Sequence, residues 1–214
     1  MTLALLLICS YLVGSIPFGV MVGLAWRGVD VRKYGSGNIG FSNVLRVLGW
    51  QPAVIVLVGD AVKGLIPILV GRGLLARAGW AAADLWLLVV GLAAILGHSF
   101  SVFLGFRGGR AVTTTGGVLL GLCWPAALVG LAVWLAVVGA TRYISAGSMA
   151  AAAAVPAYML VAGKRWEWVG FWCAVAALVI LRHVPNIKRL LAGTEAKIGQ
   201  RVPPQEGAED YADR

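Results

Sequence analysis

The chain has 214 residues, of which 60% are hydrophobic and only 13% charged, and its mean hydropathy is +0.86. Soluble domains carry about 25% charged residues, so this composition excludes a soluble globular protein and points to an integral membrane protein. The formal net charge of +9 is not a nucleic-acid signal, because little polar surface remains to form a binding face; a basic cytoplasmic side facing anionic lipid explains it better.

The first apolar run, Leu3 to Trp26, is long enough to cross a bilayer, for which about 20 residues suffice. It lacks a basic leader and continues into Ser15-Ile16-Pro17-Phe18-Gly19, so it reads as a retained span and not a cleaved signal peptide. Pro17 is predicted to kink it. A polar segment from Arg27 to Trp50 follows. The second span, Pro52 to Val70, contains Asp60 and Lys63. A charge near mid-bilayer costs at least about 2.5–3.5 kcal/mol, so these two need partners. Three residues apart on a helix, they can reach each other. They are either a mutually neutralising structural pair or groups that line a polar site.

Gly71 to Gly79 reads as a loop and Trp80 to Leu96 as the third span. Thr113 to Ala140 is too long for one ordinary span, and Cys123-Trp124-Pro125 offers a break in it. Ile144 to Ala162 is an alanine-rich span; Lys164 to Trp168 is a polar turn with aromatic interface anchors; Val169 to Leu181 is the last span. Cys9, Cys123 and Cys173 all lie in apolar runs and read as small hydrophobes, with no disulfide framework or metal-ligand spacing. The last residues, 200–214, are acidic and contain Pro203-Pro204, and are expected to be a disordered tail to a single domain over 1–199.

Charge decides the topology. If the chain breaks at Trp124-Pro125 there are seven spans, and three polar stretches fall on one side. That side carries 13 Lys and Arg against 4 on the other. The excess places these stretches in the cytoplasm and the N-terminus outside. The expected fold is therefore an all-α integral membrane protein, a seven-span helical bundle with three cytoplasmic polar motif loops.

The central stretch, Gly97 to Gly117, holds His98, Ser99, Ser101, Arg107, Arg110 and Thr113 to Thr115, with Gly108-Gly109 between the two arginines. Glycines beside guanidinium groups let backbone N–H donors approach an anion closely, and the Arg fork suits phosphate oxygens. A small anionic group, such as phosphate, is the ligand to expect; the competing reading is that the arginines only anchor a helix at the headgroups. In the first stretch, Gly35-Ser36-Gly37-Asn38-Ile39-Gly40 fits G-x-G-x-x-G, but membrane helix surrounds it and not a βαβ unit, which argues against a dinucleotide site. Ser42 and Asn43 read as N-caps for the turn carrying Arg46. The third stretch supplies His183, Asn186, Lys188, Arg189 and Glu195. Either histidine is a candidate general base, or a hydrogen-bonding interfacial residue.

Gly35–Arg46 (GSGNIGFSNVLR), Gly97–Thr115 (GHSFSVFLGFRGGRAVTTT) and Arg182–Gly199 (RHVPNIKRLLAGTEAKIG) resemble the three cytoplasmic motifs of the bacterial membrane acyl-phosphate:glycerol-3-phosphate acyltransferases. Gly59-Asp60-Ala61-Val62-Lys63-Gly64 is similar to that family's second-span signature. The resemblance implies a seven-span bundle in the bacterial cytoplasmic (inner) membrane, functional as a monomer. It would transfer a fatty acyl group from acyl phosphate to glycerol 3-phosphate, giving lysophosphatidate and phosphate. By motif position, Ser36, His98, Arg107, Arg110 and His183 would be catalytic. Gly37, Asn38, Asn43, Arg46, Asp60, Lys63, Gly108, Gly109, Thr113, Asn186, Arg189 and Glu195 would bind substrate. No metal and no cofactor is implied. The chain departs from the family pattern at Arg107 and Arg110, where lysine is expected, at Ala111, where glycine is expected, and at Phe41-Ser42, where Ala-Thr is expected. Acyl phosphate is already activated, so the protein needs mainly to bring hydroxyl and carbonyl together and stabilise developing charge. The hydroxyl proton could go to a substrate phosphate oxygen or to a histidine. Rival readings are a membrane carrier for an anionic phosphate compound and a non-catalytic family member; a carrier usually shows an internal repeat, and none is visible.

Overall fold

The structure, a computed structural model, describes residues 2–80 and 82–200; nearly all of the expected acidic tail lies outside the described residues. The described residues are helical, without strands: α1 (Thr2–Ser15), α2 (Phe18–Arg27), α3 (Phe41–Leu48), α4 (Trp50–Arg77), α5 (Ala83–Ser99), α6 (Val112–Leu122), α7 (Trp124–Thr141), α8 (Ile144–Val161), α9 (Trp166–Arg182) and α10 (Val184–Leu191). Among the described residues, five spans are long and apolar enough to cross a membrane: Leu3–Arg27, Trp50–Arg77, Ala83–Leu104, Trp124–Thr141 and Ile144–Val161. The α9–α10 pair, bent by 56° at His183, makes a sixth if counted as one. The chain is an integral membrane protein.

The outer surface is made of large apolar residues such as Leu5, Ile8, Ile55, Leu69, Leu128, Leu131 and Leu135, all exposed. A soluble protein would bury them; here they face hydrocarbon. The core beneath joins α4, α5, α6, α8 and α9 through Ile68, Val90, Ile95, Val118, Met159 and Trp172. A second cluster, built on Val20, Val31, Ile39, Val44 and Val56, seats the first polar loop on α2 and α4.

Membrane helices lack a hydrophobic drive to associate, so close contact depends on small residues. The α4–α6 contact shows this. A Cβ on Gly64 would strike the Thr114 carbonyl, and a Cβ on Gly117 would strike the Ala61 carbonyl. Substitution at either glycine must push the two helices apart.

The breaks in the helices leave carbonyls that neighbouring side chains use. The first span is interrupted at Ile16-Pro17, as the proline requires. Ser101 Oγ donates to the Ser15 carbonyl at 2.6 Å and Lys63 Nζ to the Ile16 carbonyl at 2.7 Å. The break at Cys123 falls where expected, between α6 and α7, with Pro125 in the first turn of α7. Arg72 of α4 donates to the Gly121 carbonyl at 2.6 Å, so a cation caps the negative end of α6. The expected loop from Gly71 is helix as far as Arg77, because nothing there stops α4.

Candidate functional site

The first polar loop is organised by Asn43, which is fully buried. Its Oδ1 accepts from Ser36 N at 2.8 Å and Ser36 Oγ at 3.2 Å, and its Nδ2 donates to the carbonyls of Val31 and Tyr34 at 2.8 and 3.1 Å. Asn38 Oδ1 accepts from Gly40 N at 2.9 Å. These side chains hold the loop's shape. The N-cap of α3 is Gly40, not Ser42 or Asn43; Asn43 lies inside the first turn because its amide is needed to tie the loop beneath it. The helix then carries Arg46 toward the C-terminal run, where Nη2 donates to the Ala196 carbonyl at 3.0 Å and lies 3.8 Å from Glu195 Oε1.

Glu195 gathers the third stretch. Its Oε1 accepts from Asn186 Nδ2 at 2.7 Å and from Ser145 Oγ at 2.9 Å, and its Oε2 accepts from Arg189 Nε at 2.7 Å. Burial pushes its pKa up, but the bonds from Asn186, Arg189 and Ser145 outweigh that and hold it below the ordinary value. Ser145, at the start of α8, was not legible from sequence: a single serine in an alanine-rich span carries no signal. A strap of chain fixes the carboxylate, with Ile198 N donating to the Arg142 carbonyl at 2.8 Å.

Arg110 faces this group. Burial, together with Arg189, Arg46 and Arg182, pulls its guanidinium down to about 10, with Glu195 opposing. It remains charged at neutral pH. Several guanidinium groups thus converge on one carboxylate. Arg46 Nε and Arg189 Nη2 are buried and find no acceptor among the described residues, while Asn186 Oδ1, itself an acceptor, finds no donor there. The donors left over fit an anion. Thr113 lies three residues beyond Arg110, in the first turn of α6, whose free N–H groups add positive potential.

His183 sits at the bend between α9 and α10, buried, with Nδ1 2.8 Å from the Val179 carbonyl. That contact assigns the ring proton to Nδ1 and leaves Nε2 as an acceptor. Burial pushes the imidazole down to about 4; Arg110 adds to this, while the bond to Val179 works against it. His183 is therefore neutral at physiological pH.

The Gly108-Gly109 bridge differs from expectation. Gly108 N donates to the Ser99 carbonyl at 3.1 Å and Gly109 N to the His98 carbonyl at 3.0 Å, so neither is free for an anion. Their carbonyls accept from Arg182, Gly108 O from Nη2 at 2.7 Å and Gly109 O from Nε at 3.1 Å. A Cβ on Gly108 would meet the His98 carbonyl, and one on Gly109 would meet the His98 ring. The glycines are needed for close packing at the end of α5. Arg182, which sequence reasoning passed over beside His183, is what pins them.

His98 itself is buried, between the bridge and the charged pair of α4. Lys63 Nζ lies 2.7 Å from Asp60 Oδ1, and His98 Nδ1 is 3.6 Å from the same oxygen. With the bond from Lys63 to the Ile16 carbonyl, just beyond the end of α1, the pair ties the first break to α4 and α5. Arg107 separates from Arg110. It lies in an exposed turn and lines a cavity with Asp30, Arg32, Lys33 and Gly37. No group of three or more His, Cys, Asp or Glu among the described residues is placed to hold a metal ion.

The family model described as glycerol-3-phosphate acyltransferase matches residues 4–193. The chain belongs to this family. A glycerol-3-phosphate acyltransferase of Geobacter sulfurreducens is 47% identical over 186 residues, covering 87% of this chain and 92% of the relative. Glycerol-3-phosphate acyltransferase 2 of Moorella thermoacetica is 46% identical over 197 residues, covering 92% and 98%. Among solved structures, PlsY (YgiH), an integral membrane glycerol 3-phosphate acyltransferase, matches in its glycerol 3-phosphate form with a TM-score of 0.84 and 38% identity, over 93% of this chain and 96% of that one. Its lysophosphatidic acid form matches at 0.82 and 37%, with the same coverage. Like these relatives, the chain is an acyltransferase, and the three stretches that carried the resemblance are the stretches that converge here.

Proposed function

We propose that this acyltransferase moves a fatty acyl group from acyl phosphate to glycerol 3-phosphate, releasing lysophosphatidate and phosphate. The observation that carries the reading is the convergence of Arg46, Arg110 and Arg189 on the single carboxylate of Glu195, with buried donors to spare. A phosphate satisfies both the charge and the unmet hydrogen bonds. Glu195 keeps the guanidinium groups apart and aimed; Asn186 and Ser145 hold Glu195.

In the reaction the glycerol hydroxyl oxygen attacks the acyl carbonyl carbon, and the bond from that carbon to the phosphate oxygen breaks. Arg110 and the first turn of α6, with Thr113, stabilise the charge that grows on the carbonyl and the departing phosphate. A base with a pKa of about 4 drives deprotonation weakly, so His183 serves through Nε2 to orient the hydroxyl, and the proton leaves on the phosphate. Ser36, Gly37, Asn38 and Asn43 shape the loop beside the acceptor phosphate; His98, Gly108 and Gly109 hold the wall of the site. Binding energy and orientation supply most of the acceleration, because the donor arrives activated.

The seven-span arrangement completes this reading. α6 counts as a span of its own, although 11 residues rise only about 16 Å; Arg72 satisfies the Gly121 carbonyl at its far end. The excess of Lys and Arg supports placing the three stretches and the C-terminus in the cytoplasm, the N-terminus outside, and the protein in the bacterial inner membrane. A functional monomer is part of the proposal. The test is incubation of purified protein with glycerol 3-phosphate and either acyl phosphate or acyl-CoA. Lysophosphatidate with equimolar phosphate from acyl phosphate is the expected result; product only from acyl-CoA, or from neither donor, would overturn the donor assignment or the activity.

A further inference from the structure

Arg107 and Arg110 face different surroundings. The charges acting on Arg110 include Arg189, Glu195, Arg46 and Arg182, and Arg107 is not among them. Instead Arg107 lines a cavity of about 720 Å³ between the turn at Arg32–Ile39 and the turn at Leu104–Gly108. Three cations, Arg32, Lys33 and Arg107, share it with one carboxylate, Asp30. Asp30 is already engaged: Arg32 Nη2 meets its Oδ2 at 2.6 Å and Arg32 Nε meets both oxygens at 2.9 and 3.1 Å. The Arg107 backbone N–H donates to the Leu104 carbonyl at 3.3 Å, but its guanidinium makes no hydrogen bond or ion pair among the described residues. The cavity is therefore lined mainly by cationic side chains and holds an uncommitted guanidinium, that of Arg107.

The turn that carries Arg107 is apolar on its outside. Val102, Phe103 and Phe106 are 40%, 57% and 61% exposed. Phe106 has a φ of 62°, unusual for a bulky residue, and its N–H donates to the Ser101 carbonyl at 2.8 Å. The fold accepts that strain and leaves the ring outside. The apolar span ends at Leu104, so this turn lies at the edge of the hydrocarbon. Exposed aromatic rings beside a basic cavity at that depth suit an amphiphile better than a soluble anion.

We propose that the Arg32–Lys33–Arg107 cavity binds the phosphate head of an anionic phospholipid drawn from the surrounding bilayer, with its chains lying along Phe103 and Phe106. The cavity borders the Arg46–Arg110–Arg189 group, sharing Gly37 and Gly108 with its walls, but its cations are different residues, and the proposal stands on charge and exposure, independently of the acyl transfer. Bidentate bonding from Arg107 would fix the phosphodiester, and Lys33 would add a second cation.

The experiment is native mass spectrometry of the full chain released from nanodiscs holding equal phosphatidylglycerol and phosphatidylcholine, with Arg107→Gln, Arg107→Lys and Lys33→Gln beside the wild type. The wild type should retain one phosphatidylglycerol in preference to phosphatidylcholine. Arg107→Gln should lower that occupancy about tenfold, the effect of roughly one lost charge-assisted bond, while Arg107→Lys keeps most of it. If Arg107→Gln does not fold, Lys33→Gln carries the same expectation with a smaller loss. Wild-type occupancy in the Gln variants, or equal retention of phosphatidylcholine, would reduce these residues to general headgroup anchors and overturn the site. Displacement of the lipid by millimolar inorganic phosphate would overturn it in favour of a soluble phosphate ligand.

Discussion

Arg107 and Arg110 are three residues apart and carry the same charge, yet the charges of Arg46, Arg189 and Glu195 act on Arg110, while Arg107 lines a cavity with Asp30, Arg32 and Lys33. The mechanism therefore expects different outcomes from the same substitution. Arg110→Ala should reduce turnover per folded molecule about 10²–10³-fold, the usual effect of removing one electrostatic donor at a developing charge. Arg107→Ala should reduce it far less, and Arg110→Lys should retain much of it, since charge is kept. Phosphate release normalised to folded protein decides; equal losses in the two alanine variants would return both arginines to one site. His183 gives a pH signature. Its folded pKa of about 4 lies below its ordinary 6.5, so the unfolded chain takes up the proton first as pH falls. The stability it contributes is fully present above about 6.5 and is lost as pH falls from there through about 4. Thermal midpoints measured between pH 7.5 and 5 should decline, and His183→Gln should flatten the decline; an unchanged slope would show that the imidazole is not held neutral. Of the residues in this group, Arg46, Arg110, Asn186, Arg189 and Glu195 were legible in the sequence because they lie in polar stretches between apolar runs. Ser145 was not, since one serine among alanines has no pattern, and the use of the Gly108 and Gly109 N–H groups by carbonyls of α5 depends on a chain reversal that no local rule dictates. At Ala111, where the family pattern has glycine, φ is 57°, so the departure costs roughly 1–2 kcal/mol of left-handed strain.

At the scale of elements, the spans were readable because apolar length is a strong signal, and the breaks at Pro17 and Cys123 because proline ends a helix ladder. The pairing of helices was not readable. Nothing in the sequence says that Gly64 and Gly117 meet each other's helices, because small residues are common throughout membrane segments. The charged pair of α4 tests the packing. Asp60→Ala leaves Lys63 without a counter-charge, and breaking one side of a buried pair costs about 3–5 kcal/mol. Folded yield should fall sharply, and the Asp60→Ala Lys63→Leu double variant should recover it. Recovery of fold without acyl transfer would give the pair a place in the site; a single variant of normal yield would deny it both roles.

The whole molecule is organised so that one end collects the polar chemistry and the rest is oil-facing helix. In a background without the native cysteines, single cysteines at Lys33 and Ala192 should label from the cytoplasm, and one at Ala78 from outside; labelling of 33 and 192 from opposite sides would contradict a single composite site. The alternative of a carrier is served poorly by this arrangement, because the polar groups gather at one end and the mid-span charges are spent on each other and on Ile16. The most direct measurement is simultaneous assay of lysophosphatidate and phosphate from acyl phosphate and glycerol 3-phosphate, using purified wild type and Arg110→Ala. The wild type should form both in equimolar amounts, and the variant should lose at least about a hundredfold in rate at unchanged folded yield. Phosphate without lysophosphatidate, or turnover unaffected by Arg110→Ala, would contradict the mechanism.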